Sequence, residues 1–211
     1  MMQLEWISGS GWLVFAAQNS DSAIRAQALA RMDSDGGVAY ISLADDGGDS
    51  LLDDMEDLGA PTGYMIDIEL EDSATIRQQL KDISMIVLES GTSLDSLARL
   101  LRGSVADALR EAYEGGALIL VEGLAVNLFG RWSVSDSGRI FEGLNWLKNV
   151  FIEPNVSSIE ESRAVQMVLR AHPRAMALEI GVDSALALGA GGQLEVWGAG
   201  QVTVALGSYY A

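Results

Sequence analysis

The sequence predicts an α/β fold of three layers, with a mostly parallel central sheet flanked by helices and antiparallel hairpins at the C-terminal end. Three observations predict it. Short apolar runs recur (WLVFAA from Trp12, VAYISL from Val38, ISMIVL from Ile83, ALILV from Ala117), the pattern of strands buried on both faces. Segments with helical spacing of apolar residues separate them, and this alternation builds a parallel sheet. The last third shifts to short apolar runs between glycine-rich turns, which predicts hairpins. With no internal repeat and no linker-like stretch, residues 1–211 are expected to form a single domain.

Taken in order, WLVFAA follows Gly11 and reads as the first buried strand. Ser20 to Met32 reads as a helix, with Ser20 or Asp21 as its cap and Ile24, Ala28 and Leu29 on one face. Asp35-Gly36-Gly37 turns the chain into the strand Val38 to Leu43. Ser50 to Leu58 is a helix stopped by Gly59. Tyr64 to Ile68 is a strand, and Ser73 to Lys81 a short helix capped by Ser73. Ile83 to Leu88 runs as a strand into the small polar loop Glu89-Ser90-Gly91-Thr92-Ser93. Helices follow at Leu94 to Leu101 and Val105 to Tyr113, the second ended by Gly115-Gly116. Ala117 to Val121 is wholly apolar and is expected at the sheet's centre. Gly123 to Phe129 turns into a further helix, and Gly143 to Phe151 carries a turn and a short apolar segment. Ser157 to Ala171 is a helix with a capping box of Ser158 and Glu161, stopped by Pro173. Leu178 to Val182, Ala185 to Leu188, Leu194 to Trp197 and Val202 to Leu206 are short strands. The five tryptophans read as core or half-buried residues.

Composition excludes several function classes. The 211 residues are 49% apolar and 20% charged, and a globular chain of this length buries roughly 70% of its unfolded surface. There is no cysteine, which removes disulfides, thiolate nucleophiles and cysteine-based zinc sites. The single histidine, His172, is the one available base for a Ser-His-Asp triad, and a multi-histidine metal site cannot form within one chain. No metal and no cofactor are expected. Thirteen basic residues against thirty acidic give a net charge of −17, which opposes nucleic acid and anionic lipid alike. Thirteen acids fall between Asp33 and Asp72, while no Lys or Arg lies between Arg31 and Arg77. They read as a solvated face, with a basic protein partner as the alternative. Asp45-Asp46-Gly47-Gly48-Asp49 lacks calcium-loop spacing, and no phosphate loop occurs. No apolar run approaches the ~20 residues that span a bilayer. No basic segment precedes an apolar one at the start, so no signal peptide is read and a cytoplasmic location is expected.

The stretch ISMIVLESGTSLDSLARLLRGSVADALREAYEGGALILVEGLAVNLFG, from Ile83 to Gly130, carries a more specific signal. It resembles the cyanophycinase and peptidase E family of serine peptidases, in which a G-G-[DN]-Q loop follows a strand and a later strand enters the elbow G-T-S-A-G-A. GLNWLKNVFIEPNVSSIEESRAVQMVLRAHPRAMALEIGVDSALAL and GGQLEVWGAGQVTVAL resemble the family's later segments in the same order. The resemblance implies a class I glutamine-amidotransferase-like fold, hydrolysis of acidic or isoaspartyl peptides, and a homodimer.

At the matching positions the chemistry is absent. Placed on the elbow, Glu122-Gly123-Leu124-Ala125-Val126-Asn127 puts Leu124 at the nucleophile, and a leucine cannot attack a carbonyl. No Ser, Thr or Cys lies between Ser104 and Ser133, so a shifted register supplies none. The base position falls on Asn155, whose amide takes no proton near neutral pH. The family's acid falls on Ser184, next to a retained Asp183, and its oxyanion loop on Ser90-Gly91-Thr92-Ser93. His172, in Ala-His-Pro, reads as a helix-end residue favourable to the helix dipole when charged. Ser90, Gly91, Thr92, Ser93, Glu122 and Asn127 are expected to line the old cleft as ligand-binding residues, and Glu122 with Asp95 is a carboxylate pair capable of acid–base work. The expected function is that of a catalytically inactive relative acting by binding or structural assembly. The alternatives are a hydrolase with a relocated nucleophile (Ser90, Thr92, Ser93, Ser133 or Ser184) and a small-molecule binding module.

Overall fold

The apolar runs fold as buried strands, and the spaced apolar segments fold as helices against them. A computed structural model describes residues 3–17, 22–33, 36–44, 47–91, 93–155, 158 and 161–207. Among these, the order is β1 (Glu5–Trp6), β2 (Trp12–Ala16), α1 (Ser22–Arg31), β3 (Gly37–Ser42), α2 (Asp49–Asp57), β4 (Gly63–Met65), α3 (Ser73–Leu80), β5 (Ile83–Glu89), α4 (Leu94–Leu100), α5 (Ser104–Gly115) and β6 (Leu118–Glu122). A 3₁₀ turn, Gly123–Phe129, leads to β7 (Trp132–Val134), β8 (Ile140–Glu142), β9 (Leu147–Lys148), β10 (Val150–Pro154), α6 (Arg163–Ala171), β11 (Met176–Ile180) and β12 (Ser184–Leu188). A short 3₁₀ turn, Ala190–Gly192, precedes β13 (Leu194–Gly198) and β14 (Val202–Leu206).

The main sheet has the order β13-β12-β2-β6-β5-β3-β4. Its strands β2, β6, β5, β3 and β4 are parallel, while β12 and β13 add an antiparallel hairpin. The fold class is as the sequence predicts, and wholly buried β6 lies at the centre. The last third adds a feature that periodicity did not separate. Its strands divide between two sheets, because β10, β11 and β14 join β7 and β8 in a second sheet of order β14-β11-β10-β7-β8.

Helices α1 and α2 bury Ile24, Ala28, Leu51 and Met55 against one face of the main sheet. The opposite face packs α3 to α5 and the second sheet into a larger core, while α6 covers the outside of the second sheet. Phe129 packs at a tilt against Phe15 at 5.3 Å and meets the Trp146 ring edge-on at 5.0 Å, which seats the 3₁₀ turn on the sheet. Trp132, Trp146 and Trp197 are buried, and Trp6 and Trp12 half-buried. No helix among the described residues is long and apolar enough to cross a membrane.

Several expected boundaries move, each for a local reason. Helix α1 begins at Ser22, and the expected caps Ser20 and Asp21 lie outside the described residues. Helix α3 is capped by Asp72, whose carboxylate accepts from Ala74 N at 2.9 Å and Thr75 N at 3.0 Å; Ser73 instead donates to Ser104. The strand expected to reach Ile68 stops at Met65, because Asp67 Oδ1 accepts from Glu69 N and Leu70 N and turns the chain. Gly123 to Phe129 coils as a 3₁₀ turn, not an α-helix. The expected Ser158–Glu161 capping box is replaced: Glu161 N bonds the Ser158 carbonyl in a turn, and the helix opens at Arg163. Ser162 caps it, accepting from Val165 N at 3.1 Å while donating to Glu153.

This assignment separates three serine and glutamate side chains by their effect on stability. Ser162→Ala is expected to lower unfolding stability by about 1 kcal/mol in urea titration, whereas Ser158→Ala and Glu161→Ala stay within about 0.5 kcal/mol.

Candidate functional site

The parallel strands end along one edge of the main sheet, where open α/β sheets hold their ligands. Register places Glu122 beside both Ala16 and Glu89, and Glu89 beside Ser42. The ends of β2, β6, β5 and β3 thus form one row. Alternation along each strand aims this row at the face covered by α1 and α2.

Two carboxylates in such a row need a counter-charge, and α1 supplies it. Arg25 Nη2 lies 2.6 Å from Glu122 Oε2, and its Nε is 3.1 and 3.2 Å from the two Glu122 oxygens. Its Nη1 reaches Asp54 on α2 at 2.9 Å, and Nη2 is 3.6 Å from Glu89. Ser42 donates to Glu89 at 2.9 Å, and Ser22 to Asp54 at 3.1 Å. The Arg25 and Glu122 side chains are 12% and 4% exposed. Burial pushes the guanidinium down, but hydrogen bonds and charge from Glu122 and Asp54 outweigh it and hold Arg25 above its ordinary value. Glu122 therefore serves an ion pair, and the expected partner Asp95 is elsewhere, exposed in the first turn of α4. Sequence reading missed Arg25. The available signal was a cation beside the apolar face of α1, in a chain with only Arg25 and Arg31 as bases before Arg77.

Beyond β6 the chain reverses at once. Glu122 is extended, and Gly123 has φ +69°, a conformation that costs other L-residues. The left-handed position of the turn is thus Gly123, one residue before Leu124. Leu124 is half-buried and packs against the larger core. Neither residue carries a hydroxyl. Ser90 braces this turn, donating to the Glu122 carbonyl at 2.8 Å and accepting from Ala125 N at 3.0 Å. Asn127 is buried and donates to the Ile152 carbonyl at 2.8 Å, tying the turn to β10, while its Oδ1 has no hydrogen-bond partner among the described residues. Ser133 donates to the Asn127 carbonyl at 2.9 Å.

The remaining expected residues scatter. Ser93 caps α4 and donates to Asp136 at 2.9 Å. Gly91 lies against the backbone of the β3 end, where a Cβ would sit 2.1 Å from the Leu43 carbonyl oxygen. Thr92 is outside the described residues. Asn155 is exposed with φ +65°, and its backbone N–H donates to the Ile180 carbonyl. Ser184 is fully buried and shares its hydroxyl between the Gly181 and Gln201 carbonyls at 2.6 and 3.0 Å, fixing the β11–β12 turn. A groove of about 370 Å³ at the same sheet edge brings together Ser42, Gly91, Ser93, Ser96, Asp67 and Glu69. Among the described residues, no three His, Asp or Glu side chains converge as metal ligands.

Titratable groups near the second sheet serve packing. His172 caps the end of α6 and stacks on Trp132 at 4.4 Å. This is the helix-end place expected from sequence; burial and then Arg131 lower its pKa, which opposes the charged form that the helix dipole favours. Glu153 and Glu179 are neighbours in the parallel β10–β11 ladder. Burial, and then Glu179, raise the Glu153 carboxyl above its ordinary value, against the Ser162 hydrogen bond that lowers it.

Two outcomes follow from these charges. Arg25→Met is expected to cost about 3 kcal/mol of unfolding stability, since it strands buried carboxylates; Arg77→Met, in an exposed pair with Glu111, stays within about 1 kcal/mol. For Glu153, both folded and unfolded chains hold the proton below the ordinary value of 4.5. Above it the unfolded chain releases the proton first, so the wild type loses stability as pH rises towards the folded value. The stability of Glu153→Gln relative to wild type should therefore rise through that window in denaturation curves taken at successive pH values.

Comparison with known proteins locates the fold. No protein-family model and no curated relative matches the chain. Two solved structures share its architecture. One is a peptidase from an acI-B1 actinobacterium, with TM-score 0.73 and 14% identity over 94% of this chain and 91% of that one. The other is a candidate peptidase E protein from Listeria monocytogenes EGD-e, with TM-score 0.67 and 14% identity over 90% of this chain and 99% of that one. The chain therefore has a peptidase E-like α/β fold.

Proposed function

We propose that this protein is a non-hydrolytic member of the cyanophycinase and peptidase E-like group, acting by binding or structural assembly as a homodimer. One observation carries the reading: the left-handed residue after β6 is Gly123 and the next is Leu124, so neither position of the turn carries a hydroxyl. A nucleophile needs a free oxygen and a base within hydrogen-bond reach. The hydroxyl next to the turn, on Ser90, is committed on both sides to backbone groups. The sole histidine is stacked on Trp132 at the end of α6. The Ala125 amide, which otherwise could face a substrate oxygen, is taken by Ser90.

What the scaffold retains suits binding. The sheet-edge groove presents serine hydroxyls beside Asp67 and Glu69. Around α2, Asp49, Asp53, Glu56 and Asp57 are exposed together, a surface that suits a basic protein partner.

The test is turnover. Asp-containing dipeptides and β-Asp-Arg peptides incubated with wild type and with Ser90→Ala are expected to remain intact in both, by chromatography. Cleavage by the wild type would overturn the reading, whether or not it survives Ser90→Ala.

A further inference from the structure

Two carboxylates under α6 lie outside the site described above, and neither has a counter-charge. Glu153 on β10 and Glu179 on β11 are partners in the parallel ladder, so their side chains leave one face of the second sheet side by side. It is the face that α6 covers, because Phe151 and Ala177, two residues earlier on the same strands, share a core with Val165 and Val168. Glu179 is 4% exposed, and Glu153 is half-buried. Buried Glu122 is paired with Arg25. Among the described residues, no Lys, Arg or His forms an ion pair with Glu153 or Glu179.

The elements packed around the pair leave it uncompensated. Thr203 of β14 lies beside Glu179 on its far side. Beyond Glu153 is β7, where Trp132 is the partner of Phe151 and Val134 follows two residues on. Helix α6 turns Ala164, Val165, Val168 and Leu169 to the sheet, while its Arg163 and Arg170 are exposed. In the loops at this end, Glu161, Asp183, Asp136 and Arg139 are exposed as well, and Asp136 is engaged by Ser93. The N-terminal end of α6 meets the pair through Ser162, and that end of a helix repels a bound cation.

Two adjacent carboxylates drawn out of water without a cation do not both ionise readily, so one keeps its proton. The link to α6 is Ser162. Its hydroxyl caps the helix by accepting from Val165 N at 3.1 Å, and it donates to Glu153. The acceptor that holds the cap is thus a member of the pair. Glu179 is fixed between β10 and β14. Glu153 is one residue from the end of its strand, and exposed Asn155 follows. When both carboxylates are charged, Glu153 is the one that can swing outward, and in leaving it takes the acceptor from Ser162.

We infer that Glu153 and Glu179 share one proton and form a pH-operated latch on α6: the proton keeps the first turn of the helix docked on the second sheet, and its loss frees that turn. Like-charge repulsion sets the direction. The latch is closed in acid and opens as pH rises above the ordinary carboxyl value of 4.5, with steps that belong to the pair and not to either residue. The inference lies outside the proposed function and stands whether or not the protein cleaves peptides.

Hydrogen exchange followed by NMR over a pH series tests it, read as protection factors so that the intrinsic pH dependence of exchange drops out. The reporters are the Val165 and Gln166 amides, which bond Ser162. In the wild type they should lose about tenfold in protection as pH rises from 4.5, the effect of one unit of coupling between the carboxyls, while the β6 amides keep theirs. Glu179→Gln and Glu153→Gln should each hold the acid-side protection of the wild type at every pH. Wild-type protection independent of pH overturns the inference, as does a fall shared by β6 or one that survives either glutamine variant. Should the variants misfold, carbon-13 spectra of the wild-type glutamate carboxyls decide. Two carboxyls titrating in linked steps support the shared proton, and independent titration of each contradicts it. The wild-type series is repeated with EDTA: an unchanged profile supports the proton, and a changed one assigns the pair to a metal ion and overturns the latch.

Discussion

Everything at the candidate site depends on how the backbone leaves β6. The strand is buried along its whole length, and the chain has one residue in which to reverse before the 3₁₀ turn packs Phe129 between Phe15 and Trp146. Glycine at 123 meets that demand through a positive φ. The reversal then needs its polar groups satisfied, because it is covered by core residues. Ser90 satisfies one carbonyl and one amide with a single hydroxyl. In a hydrolase, a turn of this kind exposes its strained residue and its free amides to substrate. Here the same positions are spent on holding the turn.

The charged row beneath the turn follows the same logic. Glu122 and Glu89 sit side by side at the ends of adjacent strands, an arrangement that repels unless a cation intervenes. Arg25 lies over Glu122 and reaches Asp54, linking α1, α2 and β6. A planar guanidinium suits such a junction because it offers several donors in fixed directions. The carboxylates are thereby immobilised, which favours structure over proton transfer.

Much of this was legible in the sequence wherever a local pattern decided the outcome. The buried strands β2, β3, β5 and β6 follow from uninterrupted apolar runs, and the central place of β6 from its lack of any polar residue before Glu122. Strands of two or three residues, such as β1 and β8, carry too little pattern to be read. The start of α6 depended on Ser162 being held by Glu153 from β10, a contact nine residues away that no capping motif encodes. The division of the last third into two sheets is likewise tertiary, since β12 pairs with β2 from the other end of the chain. At the site, the resemblance put Leu124 at the nucleophile's position, whereas the left-handed backbone lies at Gly123. Ser90, Glu122 and Ser184 were legible as polar residues near the turn or the cleft. Their roles in bracing and pairing were not, because those depend on distances across the fold.

The central proposal is that no side chain among the described residues is poised to attack a carbonyl. Intact-mass spectrometry after exposure to a serine-directed phosphonate tests it most directly, because the reagent reports a reactive hydroxyl without requiring the right substrate. The account predicts an unchanged protein mass. One stoichiometric adduct, mapping to a single serine at the sheet edge, would contradict it.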